Sequence, residues 1–441
     1  MNKVEMRVSI RLKITFWIYA AMFLVKPVMA QQTSNLRLYD CYTLAEKNYP
    51  LVKQRDLILK SKEYSISNIS KGYLPQVNIN GQATFQSDVS HLPANIDIPG
   101  FPTSTLTSII PIMSKEQYKL YSEISQPVTG LISTKQEKQL QEVKSTIQQE
   151  NLEVELYKLK DRVNQLFFGV LLVDEQYNQN ELLKKDIQTG IAKVKVNIEN
   201  GADFRSNMDK LKAELLKADQ HSIELKSSRR AYTDMLGLFI NQLINDSTVF
   251  EKPSIPSVSQ SIKRPELIVF DSQNKSYDIQ SKLLTSKNIP KLEFFFQGGL
   301  GKPSPVNAYF TGLSSYYLGG IRLSWPLSGL YTYKKDRQLL EIDKNMNDVQ
   351  KETFLFNTNF TLKQQNTEVS KLHELLNSDD EIVELRTSVK NAANVQLENG
   401  AISVNDFLKE INAEDQARQD RLLHEIQLLN AFYNYQNTSG N

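Results

Sequence analysis

Two stretches of this chain leave the backbone little choice but to be helical. No proline occurs between Pro127 and Pro253 or after Pro326, and from Gly329 to Gly400 there is no internal glycine. Proline and glycine are the residues that most oppose a helix. Within the first stretch Leu156, Leu159, Val163, Leu166, Val170, Val173 and Tyr177 step by three and four. Ile187, Ile191, Val194 and Ile198 resume the same phase after polar Asn180 and Lys184. In the second, Leu339, Ile342, Met346, Val349, Thr353, Phe356 and Phe360 do likewise. Such stepping is coiled-coil periodicity. It predicts two helices of about 70 residues, from Gly130 and Gly329, each ~100 Å long at ~1.5 Å per residue.

Each long run ends in the same four letters, Glu199-Asn200-Gly201-Ala202 and Glu398-Asn399-Gly400-Ala401. Gly201 and Gly400 suit the left-handed position just past a helix end, which costs a residue without Cβ nothing. A return helix is predicted after each, around 206–246 and 404–436. Ser403 and Asp406 have capping-box spacing, and in the first copy Asp203 and Ser206 each fit the N-cap. The glycines therefore mark the tips of two long helical hairpins.

The neighbourhoods repeat as well. Pro50 and Pro265 each open a helical stretch, predicted over 41–72 and 264–287, because a helix tolerates proline in its first turn. Pro75 and Pro290 follow, each 25 positions later, in strand-like surroundings; both pairs are offset by 215. The segments SQPVTGLISTKQEKQL and SWPLSGLYTYKKDRQL then align at an offset of 199, the offset that also relates the two tips. The chain is a tandem duplication: a first repeat over 31–247, a proline-marked connector over 248–263 and a second repeat over 264–441. The fall in offset puts 16 extra residues in the first copy, within a Pro-, Ser- and Thr-rich loop ahead of Tyr118.

Each repeat also carries two alternating segments. Val77, Ile79, Gly81, Ala83 and Phe85 alternate with polar residues, as do Tyr118, Leu120, Ser122 and Ile124. Leu292, Phe294 and Phe296 alternate with Glu293, Phe295 and Gln297, and Ile321, Leu323 and Trp325 with Arg322 and Ser324. A period of two is a half-buried strand. It suits a transmembrane barrel, apolar to lipid and polar to the lumen, and equally a water-soluble sheet packed on helices. Tyr316, Tyr317, Trp325, Tyr331 and Tyr333 near the strand ends suit an interfacial aromatic belt. The run Gly298-Gly299-Leu300-Gly301 reads as a hairpin loop.

The first 30 residues are a separate object. A basic start (Lys3, Arg7, Arg11, Lys13), an apolar run Ile14–Val25 and small residues ending at Ala30 predict a secretory signal peptide over 1–30, cut after Ala30. Removing it leaves 47 basic and 49 acidic residues, a balance without the basic excess of a nucleic-acid binder. Cys41, the one cysteine, has no internal disulfide partner and reads as a packed small side chain. No later stretch is apolar for the ~20 residues a membrane helix needs. A membrane location would thus require a β-barrel, the other way to satisfy backbone groups in lipid. Four strands per chain cannot close one; three chains would supply twelve.

In order, a proline-started helix, an LP-strand, a strand ending in PxxG, a long helix, an NG tip and a return helix, all duplicated, closely resemble the TolC-like outer membrane efflux proteins over nearly the whole mature chain. The resemblance implies a mainly α fold with a transmembrane β-barrel: a duplicated β-β-α-α unit and a trimeric 12-stranded barrel, continued by a long periplasmic α-helical barrel. It implies a homotrimer in outer membrane lipid. Its partners would be a periplasmic adaptor protein and an inner-membrane transporter, in a tripartite efflux or type I secretion system. It also implies a periplasmic gate at the tips, built from polar side chains just past the tip glycine. The candidates are Asn200, Gly201, Asp203, Arg205, Asn207, Asn399, Gly400 and Asp406. Members of the family often carry an aspartate six residues past the tip glycine; Asp406 matches it, whereas the first copy has Asn207.

Catalytic chemistry is not written here. The four histidines are scattered without metal-ligand spacing, and there is no P-loop, GxSxG or dinucleotide fingerprint. No enzyme, cofactor or metal is expected. The rival reading is a non-channel periplasmic coiled-coil adaptor or structural protein.

Overall fold

The computed structural model describes residues 35–89, 99–100, 113–257, 259, 261–307 and 309–441. The expected signal peptide and most of the longer first loop lie outside the described residues. In chain order the elements are β1 (Asn35–Leu36), α1 (Leu38–Asn48), α2 (Gln54–Ser70), β2 (Gln76–Phe85), β3 (Glu116–Pro127), α3 (Gly130–Tyr157), α4 (Leu159–Glu199), α5 (Arg205–Ile240), β4 (Val249–Phe250), α6 (Glu266–Lys287), β5 (Lys291–Lys302), β6 (Ser314–Ser324), α7 (Gly329–Glu398) and α8 (Val404–Ser439). None of the described helices is long and apolar enough to cross a membrane.

The duplicated order is there, with four local corrections. The helix expected over 41–72 is two: α1 ends at Asn48, Tyr49 is extended, and Pro50 opens a short 3-10 turn leading into α2. The first long helix is interrupted at Lys158, between α3 and α4, whereas α7 runs unbroken for 70 residues. The helix expected to reach residue 246 stops at Ile240, because Asn241 turns left-handed (φ 54°). The glycine run 298–301 is not a loop. It is the second half of β5, paired with β3 on one side and β6 on the other.

Contacts divide the chain into two compact units, each drawing on both repeats. One contains Tyr49–Lys160, Pro256–Ser370 and Phe432–Asn441. Its sheet is antiparallel throughout, in the order β2-β3-β5-β6. The register aligns Val77 with Ile124, Ile124 with Phe296 and Phe294 with Ile321, so the apolar residues of all four strands share one face. That face is bare: Ile79 is 80% exposed, and Val77, Phe85, Leu120, Phe294 and Leu323 are exposed with it. On the opposite face, Arg322 donates to Glu123 (3.0 Å) and Glu293 (2.7 Å), tying β6 to β3 and β5. Tyr331 and Tyr333 fall in the first turns of α7.

The helices of this unit lie in the same order as the strands they adjoin. Arg55 of α2 pairs with Glu153 of α3 (2.6 Å), and Ser272 of α6 donates to Glu150 of α3 (2.9 Å). Lys344 and Lys351 of α7 pair with Asp278 (2.9 Å) and Asp271 (2.7 Å) of α6. The outer edges of the row are apolar and open. On α7 the seam Leu339, Ile342, Met346, Val349, Phe356 and Phe360 is exposed, and on α2 so are Leu57, Leu59 and Tyr64. The periodicity of α7 was thus a true seam, but one that the described residues leave uncovered.

The other unit contains Asp161–Ile255, Lys371–Ala431 and the described part of Met1–Asn48. Here the stripe of α4 is packed: Val163, Val170, Ile187 and Val194 are buried. Its polar interruption is satisfied, since buried Asn180 donates to the Ala218 carbonyl and Ser222 Oγ, both at 2.8 Å. The connector expected over 248–263 begins with β4, which pairs in parallel with β1 and sets Phe250 edge-on to buried Phe167. Cys41 is fully buried, as its reading as a packed side chain requires. Burial, aided by the nearby Asp40 charge, pushes its thiol up to about 12, which disfavours the reactive thiolate.

Candidate functional site

The two tips are built alike. At the first, Ala202 N–H donates to the Asn197 carbonyl (2.7 Å) and Gly201 N–H to that of Ile198 (3.0 Å). At the second, Ala401 donates to Gln396 (2.8 Å) and Gly400 to Leu397 (3.1 Å). Both are Schellman motifs, which close a helix through a left-handed residue. Gly201 has φ 71° and Gly400 φ 67°. A Cβ on either would meet nothing within 4 Å, so the glycine is required by its dihedral and not by space. Gly201→Ala or Gly400→Ala is expected to cost ~1 kcal/mol at that tip, seen as faster amide exchange of the adjoining helix turns with global stability little changed.

Past the glycines the copies diverge. At the second tip, Asp406 N–H donates to Ser403 Oγ (3.2 Å), and the Asp406 carboxylate accepts from Ser403 N–H (3.4 Å) and Oγ (2.7 Å). This is the expected capping box. The Ser403 hydroxyl, then its backbone N–H, holds the Asp406 carboxyl below the usual range. At the first tip neither Asp203 nor Ser206 is the N-cap. Phe204 occupies that position, and α5 starts at Arg205. Asp203 accepts from its neighbour's Phe204 N–H (2.6 Å) and from Asn207 Nδ2 (2.7 Å). Phe204 and Arg205 point to solvent. Asn200, Asn399 and Gly400 are exposed as well.

Among the described residues, no hydrogen bond joins the candidates of one tip to those of the other. The hairpins are joined just behind the tips. Ile187 and Val194 of α4, Leu211 of α5, Ala393 and Leu397 of α7, and Val404, Phe407, Leu408 and Ile411 of α8 form one buried cluster. Gly190 makes it possible: a Cβ there would stand 2.8 Å from Phe407 Cε1. Polar ties flank the cluster. Lys193 of α4 pairs with Glu398 and donates to Asn394 (2.7 Å) of α7. Lys390 of α7 pairs with Asp186 of α4 (3.0 Å) and lies 3.7 Å from buried Glu414 of α8. Glu414 is further bound by Thr387 (3.2 Å) and Arg418. Gln179 of α4 donates to Asp415 of α8 (3.1 Å), whose carboxyl is pushed up by burial despite this bond.

Reading along the chain misses these ties, because residues some two hundred positions apart carry no shared local signal. Gly190 carried the one signal that pointed to them and was passed over: a glycine inside a long helix usually has a packing reason.

No protein-family model matches the sequence, and no curated protein matches it either. The structure does have relatives. It is similar to the outer membrane protein VceC of Vibrio cholerae, with a TM-score of 0.64 and 10% identity over 92% of this chain and 96% of that one. The CmeC outer membrane channel of Campylobacter jejuni gives 0.62 and 13% over 91% and 85% of the two chains. The MtrE outer membrane channel of Neisseria gonorrhoeae, in its open state, gives 0.65 and 11% over 92% and 89%.

The fold is that of the TolC-like outer-membrane channels. The four-stranded sheet and the duplicated order of strands and helices accord with that fold.

Proposed function

We propose that this chain is the outer-membrane channel of an export system, a passive duct that assembles as a trimer. The observation that carries this is the sheet: four antiparallel strands, an apolar face open to its surroundings, and edge strands β2 and β6 whose outer edges have no partner strand among the described residues. An open edge is not tolerated in lipid. Three copies, β6 of one against β2 of the next, would close twelve strands with the apolar face to lipid and the Glu123–Arg322–Glu293 face to water. The exposed seam of α7 would meet the exposed edge of α2 of the neighbouring copy in the same turn, giving the helices their own closed barrel on the periplasmic side.

In this reading an inner-membrane pump and a periplasmic adaptor deliver substrates at the tips. Asn200, Gly201, Asp203, Arg205, Asn207, Asn399, Gly400 and Asp406 line the periplasmic mouth, and the ties behind the tips hold it closed. In this reading the polar face of the duct guides the substrate without transforming it. A periplasmic adaptor is the weaker reading, since a bare apolar sheet face would be a liability in water.

The test is fractionation followed by native mass measurement. Extraction from the outer membrane by detergent alone, as a trimer, is the expected result; a monomer freely soluble in the periplasm would refute it. Phe356→Asp with Phe360→Asp places charges in the exposed α7 seam and is expected to leave only monomer in detergent. Burying an unpaired charge costs several kcal/mol.

A further inference from the structure

The polar face of the sheet should be open, because in the channel reading it faces water. Near the end of the sheet away from the helices it is covered. Tyr316 lies on this face, opposite Gly299, yet is only 7% exposed. Gly301, on the same face opposite Lys119, is buried too, and a Cβ on it would stand 2.5 Å from Pro305 Cγ and Cδ. The turn after β5 therefore folds back onto the polar face and rests on Gly301. Ser304, buried, braces the turn from within: its N–H donates to the Phe310 carbonyl (3.0 Å) and its Oγ accepts from Asn307 N–H (3.3 Å). Between this turn and the wall of β2 and β3 is a cavity of about 320 Å³, lined by Gln82, Thr84, Gln117 and Lys119 on the wall side. The Lys119 ammonium stands 4.5 Å from the Tyr121 ring centroid and 5.5 Å from that of Tyr316. Two aromatic faces hold it at this level. The Glu123–Arg322–Glu293 cluster is a separate level, since Glu123 lies four residues, or ~13 Å, along β3 from Lys119.

We infer that the turn Pro303–Asn307 is a second constriction, seated inside the outer mouth of the channel, and that Lys119 makes it selective for anions. This rests on the channel reading. Three copies of the turn would crowd one cross-section, each with a lysine beside it, and a ring of cations favours the passage of anions. Gly301 is what lets the turn lie against the strand.

Planar-bilayer recording of the full-length trimer tests it, in a Lys193→Met, Lys390→Met background that loosens the periplasmic tips. Deleting Pro303–Asn307 is expected to raise single-channel conductance roughly two-fold, as removal of a narrow segment should. Lys119→Gln, which alters no backbone, is expected to move the reversal potential in a salt gradient toward cation preference. Conductance unchanged by the deletion, or a reversal potential unchanged by Lys119→Gln, overturns the inference while leaving the channel reading standing. Absence of current from every variant, the tip-loosened parent included, overturns both.

Discussion

Replacing Lys193 and Lys390 together with methionine is expected to raise single-channel conductance several-fold without loss of the trimer. Both lysines sit on ties between the two hairpins. Lys193 binds Glu398 and Asn394, and Lys390 binds Asp186 while lying close to Glu414. Methionine keeps the length of the side chain and removes the charge. The lysine side chains are largely covered, but Asp186 and Glu398 are partly solvated, which screens each tie to about 1 kcal/mol or less. Two such ties shift a closed-to-open balance by roughly tenfold or more when both contribute fully. Glu414 keeps Thr387 and Arg418, so it is not left as an orphan charge. Asn207→Ala with Asp406→Ala is the comparison. Those side chains bond within their own tips, so a smaller rise is expected from them. A wild-type conductance from the lysine pair, with the trimer intact, would remove the ties from the gate.

Phe407→Ala is expected to cost about 3–5 kcal/mol, the range for emptying a buried phenylalanine site. The ring is 2% exposed and stands in the cluster that all four helices share behind the tips. Its neighbour Gly190 predicts a diagnostic coupling. Gly190→Ala alone forces a Cβ to within 2.8 Å of the ring and should destabilise the pair of hairpins. Combined with Phe407→Leu, the added methyl gains space, and the double variant should lose less than the sum of the singles. Thermal melts and limited proteolysis of the return helices measure both effects; additive losses would show that the ring does not use the glycine's space.

Much of this architecture is local and so was legible. The tips followed from Gly201 and Gly400, because only a residue without Cβ enters the left-handed turn at no cost. The capping box at Ser403 and Asp406 followed from spacing alone. The first tip did not: Asp203 and Ser206 both fit a cap, and the chain placed Phe204 there instead. The second half of β5 was missed for a related reason. Gly298, Gly299 and Gly301 carry no side chains, so alternation vanishes, and only pairing with β3 and β6 identifies the segment as a strand. At Gly299 that pairing is so close that a Cβ would fall 2.2 Å from the Leu120 carbonyl oxygen. The seam of α7 shows the opposite case, a correct period whose apolar residues stay exposed among the described residues.

By itself the sequence determined the helix-forming runs, their turning points and the two-faced strands, because each rests on contacts within a few residues, and the duplication, because the same local signals recur in the same order. Tertiary structure alone decided which helix meets which, that Lys390 answers Asp186 and that Phe407 fills the space over Gly190. It alone placed the Pro303–Asn307 turn on the polar face of the sheet. Those are meetings of surfaces far apart along the chain, and no local period encodes the partner of a surface.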